Sequence, residues 1–274
     1  MFNFNATQEN KIFANSHRGY KSAYPENTMH AFIAAHNAGT KTIELDVRMT
    51  IDEELVVIHD PIIDRVSTGS GSVEKSTLDY LMQFDYGIKF TPQFAQTKVP
   101  LLSQVLEWAV QNDIGLVIEL KQRTNTERFV QKIVEVLTQT QAIDNVLLLA
   151  FDHGLINQVK DILPQVKIQV VTLARYLDPL KAVQLSRADS VCCEYEFVKR
   201  EDLVAYKNAG LITRLYLHEP KDNEETLVTY HKKFGFDTEP EILEWLSAGL
   251  IDMLSHDDIS YLKKLIIKAG KIPA

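Results

Sequence analysis

Short apolar runs recur along the whole chain, each ending in a polar or charged residue, and most are followed by a segment of helical periodicity. Strand-like runs occupy residues 12–17, 42–47, 55–60, 115–121, 145–152, 167–174, 189–196, 212–219 and 251–257. Helical patterns fill 28–39, 102–112, 126–140, 155–163, 178–186, 200–210 and 240–250. Between Thr50 and Leu55 there is room only for a tight turn around Asp52 and Glu53, so the run 55–60 folds back on 42–47 as a hairpin. Without that return strand, eight strand–helix units remain. In 274 residues they predict an α/β chain, a (β/α)8 TIM barrel spanning 1–274 as a single domain, with a doubly wound open sheet as the alternative. Residues 61–100 break the rhythm with a Ser/Gly-rich stretch, one short helical pattern and the aromatics Tyr80, Phe84, Tyr86, Phe90 and Phe94. They read as a small insertion after the second strand, carrying its own apolar cluster.

The run TIELDVRMT at 42–50 places Ile43, Leu45, Val47 and Met49 on one face and Glu44, Asp46 and Arg48 on the other. A turn centred between residues 52 and 53 pairs Met49 with Val56 and Asp46 with His59, which sets an imidazole beside two carboxylates.

Composition narrows the partners. The net charge of −8 is distributed along the chain, against a nucleic-acid binder that works by neutralising phosphates. The first sixteen residues lack the basic start, long apolar stretch and cleavage site of a secretory signal, and no apolar run reaches membrane-spanning length, so a cytoplasmic protein without a transmembrane segment is expected. Cys192 and Cys193 are neighbours without disulfide or zinc spacing and read as small apolar strand residues. A barrel of this size can be a monomer or a homodimer.

Barrel strands deliver their polar carboxyl-terminal residues to one face. Here these are His17 and Arg18, Glu44 and Asp46, His59, and Glu119 with Lys121. Three carboxylates without a cysteine partner suit a hard divalent cation, Mg²⁺ or Ca²⁺, with zinc and manganese left open. A cation, Arg18 and Lys121 neutralise a phosphodiester, while one imidazole takes a proton from the attacking oxygen and the other protonates the leaving oxygen. There is no GxxxxGK[ST] loop for nucleotide triphosphates and no GxSxG elbow for an esterase. His30, His36, His153, His218, His231 and His256 read as ordinary surface or hydrogen-bonded histidines.

The segment from Ser16 to Val73 carries HRG (17–19), PENT (25–28), IELDV (43–47), VVIHD (56–60) and RVSTGSG (65–71), followed by VPLLSQVLEWA and VIELK. In order and spacing these motifs resemble the signature of the glycerophosphodiester phosphodiesterase family. The resemblance implies a (β/α)8 barrel with an insertion after the second strand, hydrolysing a small-molecule glycerophosphodiester to glycerol 3-phosphate and an alcohol. It implies His17 and His59 as the acid/base pair, Glu44, Asp46 and Glu119 as ligands of Mg²⁺ or Ca²⁺, and Arg18 and Lys121 as phosphate-binding residues. It also implies attack by the substrate's own glycerol hydroxyl, through a cyclic phosphate. The second half departs from the family pattern: Leu215-Tyr216-Leu217-His218-Glu219 stands where V-W-T-V-N is common, with Tyr216 as the aromatic wall for glycerol, and SHDD (255–258) where T-D-x-P is common. Two other readings keep the same residues: a lysophospholipase D acting on lysophospholipids, and a non-catalytic barrel that binds phosphodiesters.

Overall fold

Strands that are apolar on both faces need a cover on each side, and eight of them meet that need by closing on themselves inside a ring of helices. A computed structural model describes residues 2–5, 9–218 and 224–274. The strands are β1 (Lys11–Ser16), β2 (Thr42–Met49), β3 (Leu55–Val57), β4 (Gly115–Leu120), β5 (Val146–Ala150), β6 (Lys167–Thr172), β7 (Ser190–Glu194), β8 (Ile212–Tyr216), β9 (Met253–His256) and β10 (Ile272–Pro273). The helices are α1 (Met29–Asn37), α2 (Leu78–Leu81), α3 (Leu102–Gln111), α4 (Thr126–Gln139), α5 (His153–Ile162), α6 (Pro179–Leu185), α7 (Arg200–Asn208), α8 (Thr226–Phe234), α9 (Glu239–Ser247) and α10 (Ile259–Lys268).

Strands β1, β2 and β4 to β9 form a closed parallel barrel: β1 pairs with β9 from Phe13↔Met253 to Ser16↔His256 and with β2 at Ser16↔Ile43. The expected (β/α)8 TIM barrel is therefore what the chain adopts. Ile43, Leu45, Val47 and Met49 pack outward against Leu102, Val105 and Leu106 of α3. Inside, Phe13, Val117, Leu147, Leu149, Val171 and Met253 form an apolar plug, closed at the amino ends of the strands by Phe2 and Phe4. Gly115 opens β4 at that end, where a Cβ would meet the Phe2 ring at 2.4 Å and the Phe4 ring at 2.8 Å. The carboxyl end is left for chemistry.

The hairpin forms, but in a different register. Val47 faces Val57, Arg48 faces Val56 and Met49 faces Leu55, so Asp46 lies opposite Ile58, whose N–H donates to the Asp46 carbonyl at 2.9 Å, and not opposite His59. The cause is the loop length. Thr50 and Glu54 close a three-residue loop, with the Thr50 N–H donating to the Glu54 carbonyl at 3.0 Å, and Glu53 adopts the left-handed conformation (φ 65°) that such a loop requires at its last position. An odd loop shifts the pairing by one residue.

Residues 58–101 form an excursion with its own core of Ile58, Ile63, Val73, Leu81, Tyr86 and Val99, against which Phe84 packs. Helices α8 and α10 and strand β10 lie outside the sequence patterns described above. Helix α8 opens on Thr226-Leu227-Val228-Thr229, where three of four residues are β-branched and weaken the helical signal. Helix α10 is anchored by Asp258, whose carboxylate accepts from the Ser260 N–H at 2.8 Å. Residue Glu219, the end of the seventh barrel strand as read from sequence, lies outside the described residues.

Candidate active site

At the carboxyl ends of the strands, β1, β2 and β4 bring their polar tips together. Glu44 and Asp46 point inward from β2 and Glu119 from β4; all three are buried, and one oxygen of each lies within 4.8 Å of the others. The pairing Asp46↔Glu119 between adjacent strands produces this closeness. Asn27, from the PENT turn, holds Asp46 twice: its Nδ2 donates to Oδ2 at 2.8 Å, and its Oδ1 accepts from the Asp46 N–H at 3.3 Å. The Arg18 N–H donates to Glu44 Oε2 at 3.0 Å. That geometry needs the turn Arg18 (φ 56°) to Gly19 (φ 82°), where any Cβ at Gly19 would sit 2.6 Å from the Ala31 Cβ.

The cluster fits a divalent cation. Its donors are all oxygens, and Asp46 Oδ1 is buried without a hydrogen bond, the nearest cation being Lys121 Nζ at 3.5 Å. Burial and the Asp46 charge push the Glu44 carboxyl up to about 8, and the same two causes raise Glu119. Asp46 itself stays below the usual carboxylate range: burial opposes this, but the charges of Lys121 and Arg18 outweigh it. Lys121 also donates to Glu119 Oε1 at 2.6 Å.

Each sequence-nominated histidine is held by an aspartate. His17, directly after β1, places Nδ1 2.6 Å from Asp257 Oδ1; Lys21 Nζ donates to the other oxygen at 2.8 Å. His59 places Nδ1 2.7 Å from Asp60 Oδ1, and Arg65 Nε donates to Asp60 Oδ2 at 2.6 Å. A carboxylate only accepts, so in both rings the proton resides on Nδ1 and Nε2 carries the lone pair. Burial pushes His17 down to about 4 against the pull of Asp257, and burial likewise lowers His59. Both rings therefore rest neutral. Although the hairpin register does not place His59 opposite Asp46, Arg48 Nε donates to the His59 carbonyl at 2.9 Å and Arg48 Nη1 to the Lys121 carbonyl at 2.9 Å, so both residues border the same cavity.

That cavity, of about 260 Å³, is lined by His17, Arg18, Glu44, His59, Glu119 and Lys121 on one side. Leu149, Phe151, Val171, Cys192, Glu194, Arg214 and His218 complete it, and Tyr216 stands edge-on to the His17 ring, with centroids 5.0 Å apart. All eight nominated residues thus converge on one end of the barrel. Asp60, Asp257 and Arg214 were not nominated: Asp257 meets His17 only through the fold, and Arg214 lies in ITRLY, where it reads as the polar face of a strand. Asp60 alone left a signal, as the residue that follows His59.

Comparison with known proteins identifies the family. Residues 17–229 match the model of the glycerophosphoryl diester phosphodiesterase family. The chain is 34% identical over 170 residues to a glycerophosphodiester phosphodiesterase of Caldanaerobacter subterraneus subsp. tengcongensis, a match covering 62% of this chain and 70% of that protein. It is 35% identical over 166 residues to a glycerophosphodiester phosphodiesterase of Bacillus altitudinis, covering 60% and 66%. These matches span about two thirds of the curated relatives' length. The fold is shared with the crystal structure of a Silicibacter pomeroyi protein described as a glycerophosphoryl diester phosphodiesterase (TM-score 0.79, 17% identity, 96% of this chain and 95% of that one). It is shared also with an Oleispira antarctica phosphodiesterase solved with the product sn-glycerol-3-phosphate (TM-score 0.75, 23% identity, 93% and 95%). The chain belongs to the glycerophosphoryl diester phosphodiesterase family and is an enzyme of the glycerophosphodiester phosphodiesterase type.

Proposed function

We propose that this protein hydrolyses glycerophosphodiesters to glycerol 3-phosphate and an alcohol, with Glu44, Asp46 and Glu119 holding Mg²⁺ or Ca²⁺ and His17 and His59 moving the protons. The observation that carries the reading is the pairing of two aspartate-held imidazoles with one buried oxygen-donor cluster around a single cavity. The bound cation supplies Lewis acidity to the phosphoryl oxygens. Arg18 and Lys121 add positive charge where the phosphorane develops negative charge. One imidazole accepts through Nε2 the proton of the attacking oxygen; the other, after taking up a proton from solvent at Nε2, passes that proton to the alkoxide as the phosphorus–oxygen bond to the alcohol breaks. Asp257 and Asp60 keep each Nε2 turned toward that work. The Tyr216 ring restricts His17 and walls the glycerol side. The product found with the Oleispira antarctica relative supports glycerol 3-phosphate as the product here.

Among the described residues no helix is long and apolar enough to cross a membrane. The reading places the whole barrel, insertion included, in the cytoplasm acting on a small molecule, as a monomer or homodimer.

The test is release of glycerol 3-phosphate from glycerophosphocholine and glycerophosphoethanolamine by metal-stripped protein, before and after adding Mg²⁺, Ca²⁺ or Mn²⁺. Cation-dependent release is the expected result; folded protein that releases nothing with any cation overturns it. A second reading draws on the wall of Leu149, Phe151 and Val171, in which Phe151 is half exposed, as suits the acyl chain of a lysophospholipid. Lysophosphatidylcholine in the same assay separates the two.

A further inference from the structure

The floor of the cavity holds a cation that the chemistry above does not use. Arg214 points inward from β8 and is 2% exposed. Its Nε donates to Ser255 Oγ at 2.7 Å and its Nη1 to Gln169 Oε1 at 3.3 Å. Both acceptors are themselves fixed: Ser255 donates to Asn15 Oδ1 at 2.6 Å, and Gln169 Nε2 donates to Ser190 Oγ at 2.6 Å. A polar belt thus crosses the barrel interior from β1 to β7 beneath the carboxylates, and its only formal charge is the guanidinium. Arg214 Nη2 donates to no protein group among the described residues, and Asn15 Nδ2 in the same belt is buried without a partner.

A guanidinium locked at two nitrogens with a third left for the cavity is a preorganised donor. Its apolar neighbours on the wall, Leu149, Val171 and Cys192, offer a polyol nothing, and the polar Glu194 and His218 farther along it are engaged with each other at 2.9 Å. A hydroxyl pressed among them without a partner carries the full desolvation penalty, and a guanidinium N–H left open to the cavity relieves it.

We propose that Arg214 determines specificity by donating through Nη2 to the terminal hydroxyl of the substrate's glycerol moiety. This rests on the activity reading above, in which Arg18, Lys121 and the two histidines hold the phosphate and leave the glycerol end to reach the floor. Arg214 is then the residue that distinguishes glycerol from a shorter or deoxygenated end group.

The experiment compares glycerophosphocholine with its analogue in which the terminal glycerol hydroxyl is replaced by hydrogen. Wild type prefers the parent by on the order of 10–100-fold in kcat/KM, the range of a hydrogen bond to a charged group. Arg214→Met brings that ratio close to one, chiefly through KM for the parent. Arg214→Lys keeps the charge facing Glu44 and Glu119 and guards against a folding defect; it also loses most of the ratio while Ca²⁺ affinity by calorimetry stays at the wild-type value. A ratio preserved in both variants, or a loss of Ca²⁺ affinity with both substrates falling together, overturns the proposal. Calorimetry with products keeps it independent of turnover: glycerol 3-phosphate binds wild type at least tenfold more tightly than Arg214→Met, whereas inorganic phosphate binds both alike. That pattern without any turnover discards the activity and retains the Arg214 assignment; glycerol 3-phosphate binding both alike discards the assignment.

Discussion

His17 Nδ1 and Asp257 Oδ1 meet at 2.6 Å although 240 positions separate them, because the first and last barrel strands are neighbours across the closure. The contact fixes the tautomer and the aim of the imidazole, a role that a carboxylate fills and an amide does not. Asn at 257 can accept through its oxygen or donate through its nitrogen, and the second choice reverses the His17 tautomer. Asp257→Asn is therefore expected to lower kcat by about 100-fold or more while leaving cation affinity unchanged. A variant with near wild-type kcat would show that the aspartate has no part in proton transfer.

Proton transfer and cation binding occupy different side chains, so they separate by mutation. His17→Ala and His59→Ala are each expected to lose about 10²–10⁴ in kcat. Both retain the rise in Tm on adding Ca²⁺ or Mg²⁺, since a ligand at 100 times its Kd stabilises by about 2.7 kcal/mol. Glu44→Ala loses the activity and the Tm rise together. Thermal scans with and without cation decide it: a full cation-induced rise in Glu44→Ala removes Glu44 from the ligand set.

The barrel was legible in the sequence because its signal is local. Runs such as VIELK and TIELDV show their periodicity within six residues, and the eight parallel strands follow from them. The candidate residues were nominated for the same reason, each standing at the end of such a run. What escaped depends on closure or on a single dihedral. No local pattern joins His17 to Asp257 or Arg214 to Gln169. The hairpin register turned on whether Glu53 accepts φ 65°, a conformation its side chain does not advertise. Of the five aromatics read into the insertion's own cluster, Tyr86 lies inside it and Phe84 packs on its edge, whereas Phe94 packs on Tyr24 and His30, and Tyr80 and Phe90 are exposed.

A chain of charges links the two phosphate-side loops: Arg65 donates to Asp60 and, with both Nη atoms, to Glu26 at 2.7 and 2.8 Å, and Glu26 accepts from Arg18 at 3.0 Å. Burial favours the neutral acids, but hydrogen bonds from Arg65 and His59 hold Asp60 down at about 2, and those from Arg65 with the charge of Arg18 lower Glu26. In the unfolded chain these groups titrate near 3.9 and 4.3, roughly. Folded values below unfolded ones mean stability that is present above about pH 4–5 and is lost as pH falls toward 2. Arg65→Met removes the shared donor. Its Tm deficit relative to wild type is expected to be largest near pH 7 and to shrink by pH 3; a deficit that is constant with pH would assign the loss to packing alone.

At the opposite end of the barrel, stability and activity come apart. Phe4 is fully buried, its ring stacks edge-on with Phe2 at 4.8 Å between centroids, and Lys167 Nζ lies 5.8 Å over its face. Truncating a buried phenylalanine costs about 3–5 kcal/mol, through lost transfer energy and the cavity left behind. In a chain of this length that corresponds to a fall in Tm of roughly 6–20 °C for Phe4→Ala. Gly115→Ala attacks the same plug from the other side, by driving a methyl into the Phe2 ring. Neither residue lines the cavity that holds the histidines and carboxylates, so kcat/KM measured well below the new Tm is expected to stay within about twofold of wild type, the near-additivity of distant sites. If kcat/KM instead fell in step with Tm, the plug would have to be counted among the elements that position the carboxylates of β2 and β4, whose amino ends it closes.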